Sequence, residues 1–424
     1  MLTIPFIREN RDTVISRLKI KNFNNTSVID EIISADNERR ALQAKFDSKQ
    51  NELNSFSKEI GNLIRSGDNE GAKTIKDRMA SLKEELKILH QNHAELAEKL
   101  DTLLIQVPNL PHESVPAGKG EKENVVIRAG GEIPQLDDSA LPHWDLIKKY
   151  DIIDFELGIK LTGAGFPVYK EKGAKLERAL INFFLDENIR AGYREFLPPL
   201  MVNEDSAYAT GQLPDKEEQM YTVPSDTFYL IPTAEVPVTN LFRDEILSSA
   251  DLPIKCTAYT PCFRREAGSW GKDVRGLNRL HQFDKVEIVQ IQHPDKSYNT
   301  LEEMASHIES LVKKLGLYYR IVKLCGGDLS FTSALTYDFE VYAAAQKKWL
   351  EVSSVSNFES FQANRLKLRY RDEKDKKNKL VHTLNGSSLA LPRIVAALLE
   401  NNQTHDGIVI PEALHPYTGF KIIS

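Results

Sequence analysis

The chain has 424 residues, enough for two domains with cores of their own, and its 41% hydrophobic and 27% charged residues exclude a disordered or fibrous protein. Fifty-five Lys and Arg against 61 Asp and Glu leave a net charge of -6, so the overall field does not advertise a polyanionic partner, and any nucleic-acid contact must come from local basic patches. No apolar run approaches the ~20 residues needed to cross a bilayer, and Met1–Asn10 lacks the apolar core of a secretory signal; a cytoplasmic protein is expected.

From Ile29 to Leu63 the apolar positions Ile32, Ala35, Leu42, Phe46, Leu53, Phe56, Ile60 and Leu63 fall on one heptad seam, broken by Arg39 and Lys49. A second seam, Ala72, Ile75, Met79, Leu82, Leu86, Leu89, His93, Leu96, Leu100 and Leu103, runs in uninterrupted steps of three and four, which predicts a coiled coil. The breaker cluster Arg65–Gly71 between them is short enough to fold the helices back into an antiparallel hairpin. At ~1.5 Å per residue such helices make a rod of roughly 50 Å. Its outer charges, such as Lys83, Glu84, Glu85 and Lys87, mix signs as on a solvated, salt-bridged face, and His93 reads as a packing residue. Val107–His112 and Pro116–Gly120 then end the heptads, dividing a helical arm, 1–110, from a second domain, 111–424.

The second domain changes pattern to strands and shorter helices. Lys172–Arg190 reads as an amphipathic helix, and Tyr193–Val202 as a strand whose Pro198 and Pro199 confine it to an edge or a bulge. Cys256–Phe263 and Phe283–Ile291 alternate with period two, as the strands of a hairpin whose connection carries Arg264-Arg265-Glu266, the turn-rich Ala267–Gly271 and Arg275–Gln282. Such a hairpin can hold a guanidinium and a carboxylate over one pocket: the Arg fork pairs two phosphate oxygens, and Glu accepts from an amino group such as that of adenine. Taken alone, the Arg-x-Glu triplet reads better as part of an ordinary solvated hairpin, and Glu351–Ser354 as a plain strand. Cys256, Cys262 and Cys325 are widely spaced, without a Cys-x-x-Cys pair; reduced thiols and no zinc are expected.

Taken together, Phe263–Gly268, Thr233-Ala234-Glu235, His281–Glu287, Glu351–Ser354, Phe361-Gln362-Ala363 and Leu384–Val395 resemble the motifs of the class II aminoacyl-tRNA synthetases and, more narrowly, of the seryl-tRNA synthetases, over nearly the whole chain. The resemblance implies an α+β protein, with a long antiparallel coiled-coil arm that lies against tRNA and an antiparallel-sheet catalytic domain with flanking helices. Lys172–Val202 would build a homodimer interface, and Leu384–Val395 would be a helix bearing Arg393. The implied activity is serine-tRNA ligation with ATP and Mg2+, acting on tRNA(Ser) and, where present, tRNA(Sec). Arg264 and Arg393 would be catalytic. ATP would be held by Arg264, Arg265, Glu266, Leu280, Phe283, Glu351, Val352, Ser353, Ser354 and Arg393, with Glu351 and Ser354 on magnesium. Serine would meet Thr233, Ala234, Glu235, Arg264, Glu287, Asn385 and Ser387. The family pattern is departed from at Ser388 and Pro392, where many relatives have glycine, and at Asn364, where Arg is usual. A silent RNA-binding paralogue and a carrier-protein amino acid ligase are the alternatives; retention of Arg264, Glu266, Glu287, Glu351 and Arg393 argues against the first, the heptad arm against the second.

Overall fold

The computed structural model describes residues 1–215, 218–266 and 275–424, so Ala267–Gly271 lies outside the described residues. The chain divides into two compact units, Met1–Lys19 with Phe23–Pro108, and Ile20–Asn22 with Asn109–Ser424.

In the first unit Ser27–Ser66 and Asn69–Leu104 form a helical hairpin. Two residues make its turn. Gly67 adopts a left-handed φ of +83°, and its N–H reaches the Ile64 carbonyl at 3.3 Å while that of Asp68 reaches Leu63 at 3.0 Å, the paired bonds that close a helix end. Asp68 then caps the second helix by accepting from the Gly71 N–H at 2.9 Å. Ile32 and Ala35 on the first helix and Ala72, Ile75, Leu82, Leu86 and Leu100 on the second are buried. Leu42, Phe46, Leu53 and Phe56 are half-buried, because two helices can cover only one stripe of each other. Both residues that interrupt the first seam find carboxylates: Arg39 and Arg8 reach the buried Asp36 at 2.8 and 2.7 Å, and Lys49 pairs with Glu85 on the other helix.

The second unit is built on an eight-stranded sheet among the described residues. Its strands are β1 (Val125–Gly130), β2 (Arg194–Glu195), β3 (Ile254–Phe263), β4 (Gln282–Gln292), β5 (Tyr319–Lys323), β6 (Leu335–Ala343), β7 (Lys348–Asn357) and β8 (His382–Ala390), in the order β1-β5-β6-β7-β8-β4-β3-β2. Every pairing is antiparallel except β2 with β3. Helices Glu171–Arg190, Ser297–Lys314 and Leu391–Asn401 share one apolar core with the sheet, through residues such as Leu180, Phe184, Met304, Ile308, Ile394 and Leu398 against Val286, Ile288, Ile321 and Phe339.

Two expected elements divide. Within Tyr193–Val202, only Arg194–Glu195 joins the large sheet, while Met201–Val202 pairs with Phe228–Leu230 in a separate sheet; Pro198 and Pro199, without N–H groups, fall in the gap. Leu384–Val395, expected as a helix, is strand up to Ala390, bonded between β4 and β7, and turns helical only at Leu391. Pro392 sits in the first helical turn, where its missing N–H has no intrahelical partner to lose. Ser388 donates its hydroxyl to Asn188 Oδ1 at 2.9 Å.

Leu86→Lys, which forces an ammonium against the buried seam of the hairpin, is expected to destabilise the arm by roughly 2–4 kcal/mol. All three Trp follow residue 110, so the helical circular-dichroism signal should melt earlier in the variant while the Trp fluorescence transition stays in place.

Candidate active site

The period of β4 sets the site. Phe283, Lys285 and Glu287 alternate onto one face of the strand, while Val286 and Ile288 enter the core on the other. Glu287 lies opposite Ser387 on β8 and Ala258 on β3, and Val289 lies opposite Asn385. A bulge follows: two residue steps of β4, from Glu287 back to Lys285, span three steps of β8, from Ser387 to Ala390.

Glu287 is only 2% exposed. Lys285 Nζ stands 2.6 Å from its Oε2 and donates to Thr233 Oγ1 at 2.8 Å; the Thr233 hydroxyl donates to the same Oε2 at 3.1 Å. Thr233 Oγ1 also accepts from the Glu235 N–H at 3.2 Å. The Glu235 carboxylate accepts from Gln362 Nε2 at 2.6 Å, and Gln362 is oriented by the Thr383 hydroxyl at 2.7 Å. Burial, with Glu287 adding, pushes the Glu235 carboxyl up to about 7, against the pull of Gln362, Lys285 and Asn385. Lys285 and Gln362 stand within the motifs His281–Glu287 and Phe361-Gln362-Ala363, where the resemblance implies no role for them; the period-two spacing of Lys285 from Glu287 is the signal that points to it.

Next to this pocket opens a cavity of about 130 Å³, whose walls include Arg264, Glu266, Leu280, Phe283, Lys285, Glu351, Val352, Ser353, Ser387 and Arg393. Thr233, Ala234, Glu235, Glu287 and Asn385 do not line it. The Arg264 guanidinium lies 5.3 Å from the centre of the Phe283 ring, and its Nε donates to the Pro232 carbonyl at 3.3 Å. Glu266 is paired with Arg279. Arg265 does not join the cavity: it stands 3.8 Å from Glu218, and both side chains are exposed. Arg393, in the first turn of its helix, donates from Nε to the Asn278 carbonyl at 3.0 Å and from Nη1 to that of Glu351 at 2.8 Å. Ser353 donates its hydroxyl to the Ser387 carbonyl at 2.5 Å, tying β7 to β8.

A second cavity, of about 510 Å³, shares Asn278, Arg279, Glu351 and Arg393 and adds Ser354, Asp338, Glu340 and Lys348. The β6–β7 register places Glu351 across Glu340 and Ser354 across Asp338. Burial, with Glu351 adding, holds the Asp338 carboxyl well above the usual carboxylate range, and its Oδ1 is enclosed without a hydrogen-bond partner. An orphaned buried oxygen beside a carboxylate and a hydroxyl is a hard-oxygen set of the kind magnesium takes. Among the described residues no cluster of three or more His, Cys, Asp or Glu could hold a metal by itself, so such an ion would need oxygens from a ligand.

An antiparallel sheet with an arginine beyond one hairpin strand and another in the first turn of the following motif's helix, both on one cavity, defines a class II aminoacyl-tRNA synthetase. The family model of the tRNA synthetase class II core domain (G, H, P, S and T) matches residues 221–402, and that of the seryl-tRNA synthetase N-terminal domain matches residues 1–111. A serine–tRNA ligase of Salinibacter ruber is 50% identical over 424 residues, covering 100% of this chain and 99% of that protein. Another, from Thermodesulfovibrio yellowstonii, is 47% identical and covers 100% of both. The crystal structure of seryl-tRNA synthetase from Pyrococcus horikoshii complexed with ATP superposes with a TM-score of 0.93 at 35% identity, over 100% of this chain and 99% of that one. The chain belongs to the seryl-tRNA synthetase family.

The folded chain keeps a proton on Glu235 at pH values where the unfolded chain, with the ordinary value of 4.5, has released it. The stability this provides is full below about pH 4.5 and is lost as the pH rises through about 7. Glu235→Gln cannot ionise, so its melting temperature should gain on that of the wild type between about pH 5 and about pH 8; a difference that does not vary with pH would contradict the assignment.

Proposed function

We propose that the protein is a serine–tRNA ligase, which activates L-serine with ATP and transfers it to tRNA(Ser), and to tRNA(Sec) where that tRNA exists. The observation that carries this reading is the convergence of Arg264, Phe283, Lys285, Ser387, Glu351 and Arg393 on one cavity, with Glu287, Thr233 and Glu235 grouped next to it.

Activation needs no strong base, because the serine carboxylate is already ionised. Its oxygen attacks the α-phosphorus of ATP, the bond to the β-phosphate oxygen breaks, and pyrophosphate leaves. Charge neutralisation and alignment lower the barrier. In this reading Arg264 bridges the α-phosphate and the serine carboxylate, Phe283 carries the adenine ring, and Glu266 meets the adenine amino group once Arg279 gives way. Arg393, aimed by two backbone carbonyls, takes the γ-phosphate. Magnesium bound by Glu351 and Ser354 with the phosphates would neutralise charge on the leaving group.

Serine has an ammonium and a hydroxyl to satisfy. Glu287 is the acceptor for one of them, with Thr233, Glu235, Asn385 and Ser387 completing a small polar pocket that alanine would leave unpaired. In the second step the terminal adenosine hydroxyl of tRNA attacks the activated carbonyl and AMP departs.

The arm, 1–110, is the tRNA-binding domain in this reading and 111–424 the catalytic one. A homodimer is supported by apolar side chains left on the surface after the Glu171–Arg190 helix, Leu197 at 86% and Met201 at 50% exposure. Zinc has no part, and Cys256, Cys262 and Cys325 are buried free thiols. The cytoplasm, where charged tRNA is consumed, is the compartment. Among the described residues no helix is long and apolar enough to cross a membrane.

Incubation with ATP, magnesium, serine and total tRNA should yield acid-stable seryl-tRNA, lost when any one component is omitted; charging with another amino acid in place of serine would overturn the reading. Glu287→Ala should lower serine-dependent exchange of pyrophosphate into ATP by at least ~100-fold, and near-normal exchange would remove Glu287 from the pocket.

A further inference from the structure

Next to the wall formed by Leu277, Asn278 and Leu280 lies a polar cluster that none of these roles uses. His143, at the start of the helix His143–Lys149, and Glu400, near the end of Leu391–Asn401, are both fully buried. Glu400 follows Arg393 by two helical turns, so the two lie on one side of that helix. Glu400 Oε1 accepts from the His143 N–H at 3.0 Å, from His143 Nδ1 at 2.8 Å and from Gln346 Nε2 at 2.9 Å, and its Oε2 accepts from the Gln346 N–H at 3.1 Å. The other ring nitrogen, His143 Nε2, accepts from the Leu277 N–H at 2.9 Å. A nitrogen that accepts carries no proton, so the ring is neutral with its hydrogen on Nδ1, directed at Glu400.

The next links reach the nucleotide cavity. Gln346 Oε1 accepts from Asn278 Nδ2 at 3.1 Å, and the Asn278 carbonyl accepts from Arg393 Nε at 3.0 Å. Gly276 passes so close to the imidazole that a Cβ there would lie 2.3 Å from His143 Nε2, and it adopts a φ of +65°. The segment Gly276–Asn278 is thus tied to the imidazole by the Leu277 N–H and the close approach of Gly276, and to Gln346 by the Asn278 side chain.

We propose that His143 and Glu400 are positioning residues for ATP: acting through Gln346, Leu277 and Asn278, they set the wall of the cavity and the aim of Arg393. An apolar pair of the same volume would bury at less cost. What it could not do is hold an N–H, an amide and a carbonyl in fixed directions, and alignment within fractions of an ångström is what an in-line displacement demands. Among the described residues the proposed serine pocket, Thr233, Glu235, Glu287, Asn385 and Ser387 with the Lys285 and Gln362 that hold it, shares no hydrogen bond with this cluster, so the effect should fall on the nucleotide.

The inference rests on the ligase reading, and the experiment separates the two. Pyrophosphate exchange would be measured for wild type, His143→Ala, His143→Gln and Gln346→Ala, each normalised to its titrated active sites, with ATP and serine varied in turn. His143→Ala and Gln346→Ala are expected to raise KM for ATP about tenfold and leave that for serine within about twofold. His143→Gln, whose amide supplies both a donor and an acceptor, should recover part of the loss. Gln346 is a half-buried residue of the turn between β6 and β7, so its variant tests the chain of bonds even where His143→Ala does not fold. Wild-type values for ATP in both variants, or equal increases for ATP and serine, would overturn the proposal. Were the wild type to show no serine-dependent exchange, the ligase reading would fall instead, and ATP affinity measured by calorimetry on the same variants would decide the positioning role by the same criterion.

Discussion

Two carboxylates, Glu235 and Glu287, are enclosed side by side with the ammonium of Lys285 as the cation at contact distance. Like charges in a poorly solvated site cannot both ionise freely, and Lys285 favours the nearer one. Glu287 takes the ion pair and the Thr233 hydroxyl; Glu235 is left to hold its proton up to about pH 7. Removing Lys285 would leave a buried charge uncompensated, the costly way to break such a pair. If serine binds here as proposed, its ammonium and hydroxyl enter a pocket whose charges this arrangement of three groups has already set.

That arrangement depends on strand register. Because side chains alternate along β4, Phe283, Lys285 and Glu287 share a face while Val286 and Ile288 anchor the strand in the core. A slip of one residue would exchange the two sets and bury the ionic groups among Phe184 and Ile308. The pairing of β4 with both β3 and β8 blocks such a slip, and it brings Arg264 from one neighbour and Asn385 and Ser387 from the other to the same side. The helix that follows β8 carries Arg393 at its start and Glu400 near its end, so one element serves the cavity and the buried cluster together.

The arm follows different physics. Its stability comes from a narrow apolar stripe, and its buried carboxylate, Asp36, is paired with the partly exposed Arg8 and Arg39. Half-buried Leu42, Phe46, Leu53 and Phe56 are what a two-stranded rod offers, since two helices cover only one stripe of each other.

The heptad seams, the Gly67–Asp68 turn and the period-two strands were legible in the sequence because each depends on residues a few positions apart, through helical pitch, pleat and turn chemistry. The motif residues could be picked out by type and spacing. Leu384–Ala390 is strand where a helix is expected because its hydrogen bonds run to β4 and β7, which no local pattern records. The same holds for Gln362 on Glu235 and His143 on Glu400, the last pair 257 residues apart in the chain. Sequence alone determined which chemical groups and which local elements were present. Tertiary structure decided which groups are sealed from water together, and so which carry charge and which are only held in place, because desolvation and partner choice are properties of the packed interior.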